Sequence, residues 1–191
     1  MSDKTEQIWD PAIRVFHWAL VVLVVGSWVL GKFATPLGLT TMTLHFWAGY
    51  AIAGLLAFRL VWGVIGPHNA RWSSFVRGPA AVLAYLRELP ARRPSHAAGH
   101  NPLGGWSVLA ILAVLAAQIA TGLILDPEDY INIGPLAGMV SPGWNRWALG
   151  MHHTLGGVLL ALIVLHVAAI LFYRFWKRED LVRPMITGRR G

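Results

Sequence analysis

The chain has 191 residues, 55% of them hydrophobic and only 13% charged, with a mean hydropathy of +0.53 and a net charge of +7. Soluble domains carry roughly a quarter charged residues, so this balance predicts a membrane protein. The absence of cysteine excludes disulfides, iron–sulfur ligation, thiolate catalysis and covalent haem attachment through Cys-x-x-Cys-His.

The first segment, Ser2 to Asp10, is polar and mixed in charge. The apolar run after it is long, and Gly31-Lys32-Phe33 is a poor cleavage site, so the N-terminus reads as the start of a mature protein rather than a signal peptide. The first predicted span covers about Ile13 to Leu30, opened by Asp10 as N-cap and Pro11 at the first helical position. The second covers about Leu44 to Ile65 and stops at Gly66-Pro67. Pro79 to Leu89 is too short to cross and reads as an amphipathic helix lying along the membrane surface. The third span covers about Gly105 to Leu125, stopped by Asp126-Pro127, and the fourth about Trp147 to Trp176. No internal repeat is evident. The expectation is one membrane domain over residues 1–191, an all-α bundle of four transmembrane helices.

Basic residues cluster outside these spans, the pattern of membrane topology rather than of nucleic-acid binding. The N-terminal arm has Lys4 and Arg14, the second connection Arg71, Arg77, Arg87, Arg92 and Arg93, and the C-terminal tail Arg174, Lys177, Arg178, Arg183, Arg189 and Arg190. The first connection has only Lys32, and the third only Arg146 against Asp126, Glu128 and Asp129. The positive-inside rule puts both termini and the second connection in the cytoplasm and the third connection on the opposite side.

Eight histidines follow: His17, His45, His68, His96, His100, His152, His153 and His166. His68, His96 and His100 fall in the second connection and read as polar loop residues. The other five lie in or at the ends of spans one, two and four, where an ionisable side chain is a functional hypothesis. His152 and His166 are fourteen residues apart, which returns them to within about 40° of one helix face with a rise of roughly 21 Å. That distance suits two cofactors stacked across a membrane, not one metal. His153 is turned about 100° from His152 and leaves this face. Span one runs inside to outside, so His17 lies near the cytoplasmic side and meets His166. Span two runs the other way, so His45 lies near the outer side and meets His152.

Each site has two protein ligands, whereas structural zinc takes four and catalytic zinc usually three. Iron in a porphyrin takes two axial ligands, and two imidazoles suit it to electron transfer. Gly49 and Gly156, each one turn below an outer ligand, leave room for a macrocycle, though close helix packing accounts for them equally. Arg59, fourteen residues after His45, lies at the depth of the inner site. It reads either as a partner for a haem propionate or quinone head group or as an arginine snorkelling to the interface. Arg14 has the same two readings.

The segments DPAIRVFHW (Asp10 to Trp18), His45 to Gly66 ending in RLVWGVIG, ARWSSFVRGP (Ala70 to Pro79), GHNPLGG (Gly99 to Gly105) and HHTLGG…LH (His152 to His166) resemble the bacterial cytochrome b561 superfamily. Within it the chain looks most like the b-type cytochrome subunit of nickel–iron hydrogenases and its stand-alone relatives, and more distantly the formate dehydrogenase gamma subunit. The resemblance covers almost the whole chain. It implies a four-helix bundle in the bacterial inner membrane with two non-covalent b haems, ligated by His17 with His166 inside and His45 with His152 outside. It also implies electron exchange between a periplasmic partner and a bound quinone near the cytoplasmic haem. The sequence carries no extra soluble domain, cluster or c-type haem of its own. Its electron partner is therefore expected on another chain, docked on the surface of the first and third connections.

The function read from this is a respiratory electron relay between a periplasmic redox protein (a c-type cytochrome, hydrogenase or dehydrogenase) and the quinone pool. An enzyme alternative is a stand-alone superoxide:quinone oxidoreductase, against which the thin outer positive charge of Lys32 and Arg146 counts. A third is a non-haem proton relay or structural subunit. Nucleic acid is not an expected partner.

Overall fold

The structure is a computed structural model that describes residues 6–33, 40–95, 97, 99–128 and 131–190. Lys4, His96 and Asp129, which entered the charge and histidine readings above, lie outside them. In chain order the elements are strand β1 (Glu6–Gln7), helices α1 (Pro11–Lys32), α2 (Thr40–Ile65), α3 (Trp72–Phe75), α4 (Pro79–Glu88), α5 (Pro102–Ile124), α6 (Pro142–Phe175) and α7 (Val182–Thr187), then strand β2 (Arg189–Arg190). Two short 3-10 turns occupy His68–Ala70 and Ala137–Met139. The chain is an all-α membrane protein whose α1, α2, α5 and α6 are long and apolar enough to cross a bilayer. Their backbone donors and acceptors bond within each helix, as a lipid environment demands. Many apolar side chains on them are exposed, Val22 at 69% and Leu165 at 63% among them, as expected of residues solvated by acyl chains rather than by a protein core.

Two of the long helices start at side-chain caps. Asp10 Oδ1 accepts from the N–H groups of Ala12 (3.0 Å) and Ile13 (3.1 Å), with Pro11 at the first helical position. Helix α5 begins at Pro102, earlier than the apolar run suggests, because Asn101 Oδ1 accepts from Gly104 N–H at 2.8 Å and the proline again needs no donor partner. Helix α6 likewise opens on a proline, Pro142, ahead of the expected Trp147.

The chain divides into two compact units. The first gathers Met1–Trp18, Phe58–Ala110 and Leu162–Gly191, and the second Ala19–Ala57 and Ile111–Ala161. In the first, β1 and β2 pair antiparallel, Glu6 with Arg190 and Gln7 with Arg189. The N–H groups of Ile8 and Trp9 both reach Gly188 O, at 2.8 and 3.2 Å. Gly188 has φ +82°, and a Cβ there would come within 2.9 Å of Trp9 O, so this clasp needs glycine. Ile8, Trp9, Ile13 and Ala70 form a small core with Trp62 and Met185 against it. Asn69 Nδ2 donates to Ile8 O at 3.0 Å, Trp18 Nε1 donates to Met185 O at 3.2 Å, and Arg14 donates to Ile186 O. Gly63 lets the Trp72 indole lie against α2, where any Cβ would overlap the ring. No residue of α4 is buried; the Tyr85 hydroxyl nevertheless reaches that of Tyr173, which also accepts from Asn101 Nδ2 at 2.9 Å.

In the second unit the segment after α5 folds back onto that helix's last carbonyls. Leu125 O accepts from Gly134 N–H, Leu123 O accepts from Leu136 N–H, and Ile124 O accepts from Asn145 Nδ2 at 2.7 Å. Those acceptors would otherwise end the helix unsatisfied.

Candidate functional site

Of the six candidate site residues, His45 and His152 lie in the second unit and His17, His166, Arg14 and Arg59 in the first. His45, early in α2, and His152, in α6, face each other with ring centres 6.2 Å apart and planes at 78°. Both rings are held from behind. Nδ1 of His45 lies 2.8 Å from Ser27 O and 3.0 Å from Ser27 Oγ on α1. Nδ1 of His152 lies 3.0 Å from Gln118 O and 3.2 Å from Thr121 Oγ1 on α5. A carbonyl can only accept, so each Nδ1 carries the proton and each Nε2 keeps a free lone pair. Thr121 Oγ1 is itself fixed by the carbonyls of Ala117 (2.9 Å) and Gln118 (3.0 Å).

Two glycines admit these rings. A Cβ on Gly31 would stand 3.1 Å from His45 Nδ1, and one on Gly122 would stand 3.0 Å from His152 Cε1. Of the two glycines singled out by sequence, Gly49 faces open space, and Gly156 lies near the Gln118 amide.

This pair suits one metal centre with two axial imidazoles. Two metal–nitrogen bonds of about 2 Å each, plus about 1 Å from each nitrogen to its ring centre, span about 6 Å. Among the described residues, no group of three or more His, Cys, Asp or Glu gathers to hold a bare metal ion. The donor set therefore fits iron already held by a macrocycle better than it fits zinc.

In the first unit His17 and His166 lie within electrostatic reach of each other, and His100 within reach of both and of Arg59. His17 Nδ1, Arg59 Nη1, Arg14 Nε and His100 Nδ1 are buried with no partner among the described residues. Arg59 is 3% exposed, so it does not snorkel; its guanidinium lies 4.0 Å over the Trp72 ring and 5.7 Å from that of Phe75. A buried guanidinium with a spare N–H fits an anionic group such as a propionate. Arg14 donates to Ile186 O, and its Nε is buried with no partner among the described residues.

His100 is the residue the sequence reading passed over as a loop residue. Its ring packs against Phe75 (4.7 Å) and Trp9 (4.8 Å). Burial first, and then the positive charge of Arg59, lower its pKa to about 3, so the imidazole is neutral. A cavity of about 480 Å³ opens beside it, lined also by Asn69, Phe75, Arg77 and Asn101. The available signal was its place in GHNPLGG, between a basic connection and an apolar span. Ser27, Gln118 and Thr121 were missed too, although polar residues inside apolar spans signal a partner to satisfy. His153 is exposed, turned away from His152's partners, and His68 is exposed beside Asn69.

The comparisons place the chain among cytochromes of the b type. The chain is 24% identical over 217 residues to the probable Ni/Fe-hydrogenase B-type cytochrome subunit of Bradyrhizobium diazoefficiens, covering 97% of this chain and 86% of that protein. It is 24% identical over 213 residues to the probable Ni/Fe-hydrogenase 1 B-type cytochrome subunit of Escherichia coli (strain K12), covering 96% and 90%. The corresponding protein of Rhizobium leguminosarum bv. viciae is 23% identical, covering 96% and 87%. The prokaryotic cytochrome b561 profile matches residues 8–188, which takes in every candidate ligand, and the chain belongs to the prokaryotic cytochrome b561 family.

Proposed function

We propose that this membrane-embedded electron-transfer protein holds two b haems, one between His45 and His152 and one between His17 and His166, and relays electrons between a periplasmic redox protein and the quinone pool. The observation that carries it is the His45–His152 pair, 6.2 Å apart with both Nδ1 atoms tied back to helix carbonyls. A bound haem supplies a one-electron iron couple and no bond-making chemistry. The chain's part is to fix the imidazoles in the right tautomer, keep water away and offer charge to the edges. Arg59 is the residue for a propionate or a quinone head group, with Arg14 in a lesser part. The whole chain then works as one cytochrome domain in the bacterial inner membrane, with the first unit and both termini facing the cytoplasm.

The partner on the opposite side is a separate redox protein, of hydrogenase, dehydrogenase or c-type cytochrome character. The similar proteins, probable Ni/Fe-hydrogenase B-type cytochrome subunits, favour the hydrogenase class. Met139, Trp144 and Trp147, exposed in the segment joining α5 to α6 and the start of α6, supply an apolar surface for it. The test is direct. Purified protein should show a b-type reduced spectrum with two haems per chain. One haem or none in fully loaded material removes the two-centre reading.

A further inference from the structure

We propose that Ser27 and Thr121 are positioning residues for the centre in the second unit, making His45 and His152 the more electron-rich ligand pair and that centre the one of lower reduction potential. The inference rests on the two-haem reading above and goes beyond it, because it assigns unequal potentials and names the residues that set them.

The physical basis is the second shell. An imidazole that donates its Nδ1 proton to a strong acceptor gains electron density at Nε2 and becomes a more basic ligand. A more basic ligand favours the oxidised, more positive iron, and second-shell hydrogen bonding is one of the protein's means of setting a haem potential. In the second unit both histidines are treated this way, and each has two oxygen neighbours: Ser27 O and Oγ for His45, Gln118 O and Thr121 Oγ1 for His152. Ser27 is 9% exposed and Thr121 5%, so these bonds form where competing water is scarce.

The first unit is built differently. His17 Nδ1 is buried and has no acceptor among the described residues. The same unit holds the buried guanidinium of Arg59, whose positive charge favours arrival of an electron nearby. Both differences act in one direction. With haem held by both pairs, an electron on the His45–His152 centre would have a downhill acceptor in the His17–His166 centre; the first iron would be oxidised from ferrous to ferric as the second is reduced, with no bond made or broken at either.

The test is a redox titration of haem-loaded protein followed optically, with the low-spin ferric resonance signals recorded on the same samples. Wild type should titrate as two one-electron waves. Ser27→Ala and Thr121→Val touch different ligands from different helices, yet each should move the same wave, the lower one, upward. The upper wave should stay in place. Ser27→Thr and Thr121→Ser, which keep a hydroxyl, should restore the wild-type position. Two retained haems with both waves unmoved, or with the upper wave moved, overturn the assignment and leave the two-haem reading intact. A wild-type titration with only one haem overturns that reading instead. If one alanine or valine variant fails to retain haem, the other still decides, since each acts on its own ligand.

Discussion

Trp9 and His100 meet edge to face, their ring centres 4.8 Å apart, and Phe75 also lies against the His100 imidazole, at 4.7 Å. This aromatic packing keeps His100 neutral, and a pH dependence follows. The folded chain holds its pKa at about 3, against an ordinary value of 6.5. Between those values the unfolded chain binds a proton that the folded chain does not, so stability falls as the pH drops from about 6.5 towards 3. His100→Leu should flatten that part of the profile, measured as melting temperature against pH in detergent, while leaving stability above pH 7 little changed by protonation.

Substitution of the paired histidines should divide the haem content. His152→Ala or His45→Ala should remove one haem per chain, and His17→Ala or His166→Ala should remove the other. His153→Ala should leave both, since His153 is exposed on its helix. Haem-to-protein ratios and reduced spectra of the five variants check this, and a haem lost from the His153 variant would contradict it.

Gly63 bears on stability rather than on the centres directly. A methyl group there overlaps the Trp72 indole, which packs beneath the Arg59 guanidinium. Gly63→Ala should therefore destabilise by about 1–3 kcal/mol, the usual range for overpacking, seen as a lower melting temperature.

Removing the Arg59 side chain forfeits its stacking on Trp72 and, on the proposed reading, its pairing with a haem propionate. Arg59→Ala should cost about 1–2 kcal/mol from the lost cation–π contact and loosen the haem of the first unit selectively. Arg14→Ala should act mainly on the C-terminal segment, because its guanidinium bonds Ile186 O. Limited proteolysis of the C-terminus separates the two.

Much of this was legible in the sequence because membranes impose simple rules. Apolar runs long enough to span gave α1, α2, α5 and α6, and Asp10-Pro11 marked a helix start that a hydrogen-bonded cap fixes. Depth along oppositely running spans paired His45 with His152, and helical phase turned His153 away. What the sequence did not disclose depends on contacts between distant segments. The local cap of Asn101 and the proline starts at Pro102 and Pro142 also begin two helices ahead of their apolar runs. Ser27, Gln118 and Thr121 stand out in sequence only as polar residues inside apolar spans, and the packing of α1 on α2 and of α5 on α6 makes them anchors. His100 sits in a connection, and its burial is created by Trp9 and Phe75 from elsewhere in the chain.

The division of the chain also bears on how it is held closed. The first unit draws on three separate stretches, and its strand at Arg189–Arg190 clasps Glu6–Gln7. The N-terminal arm and the C-terminal tail therefore secure each other, and trimming either end frees both.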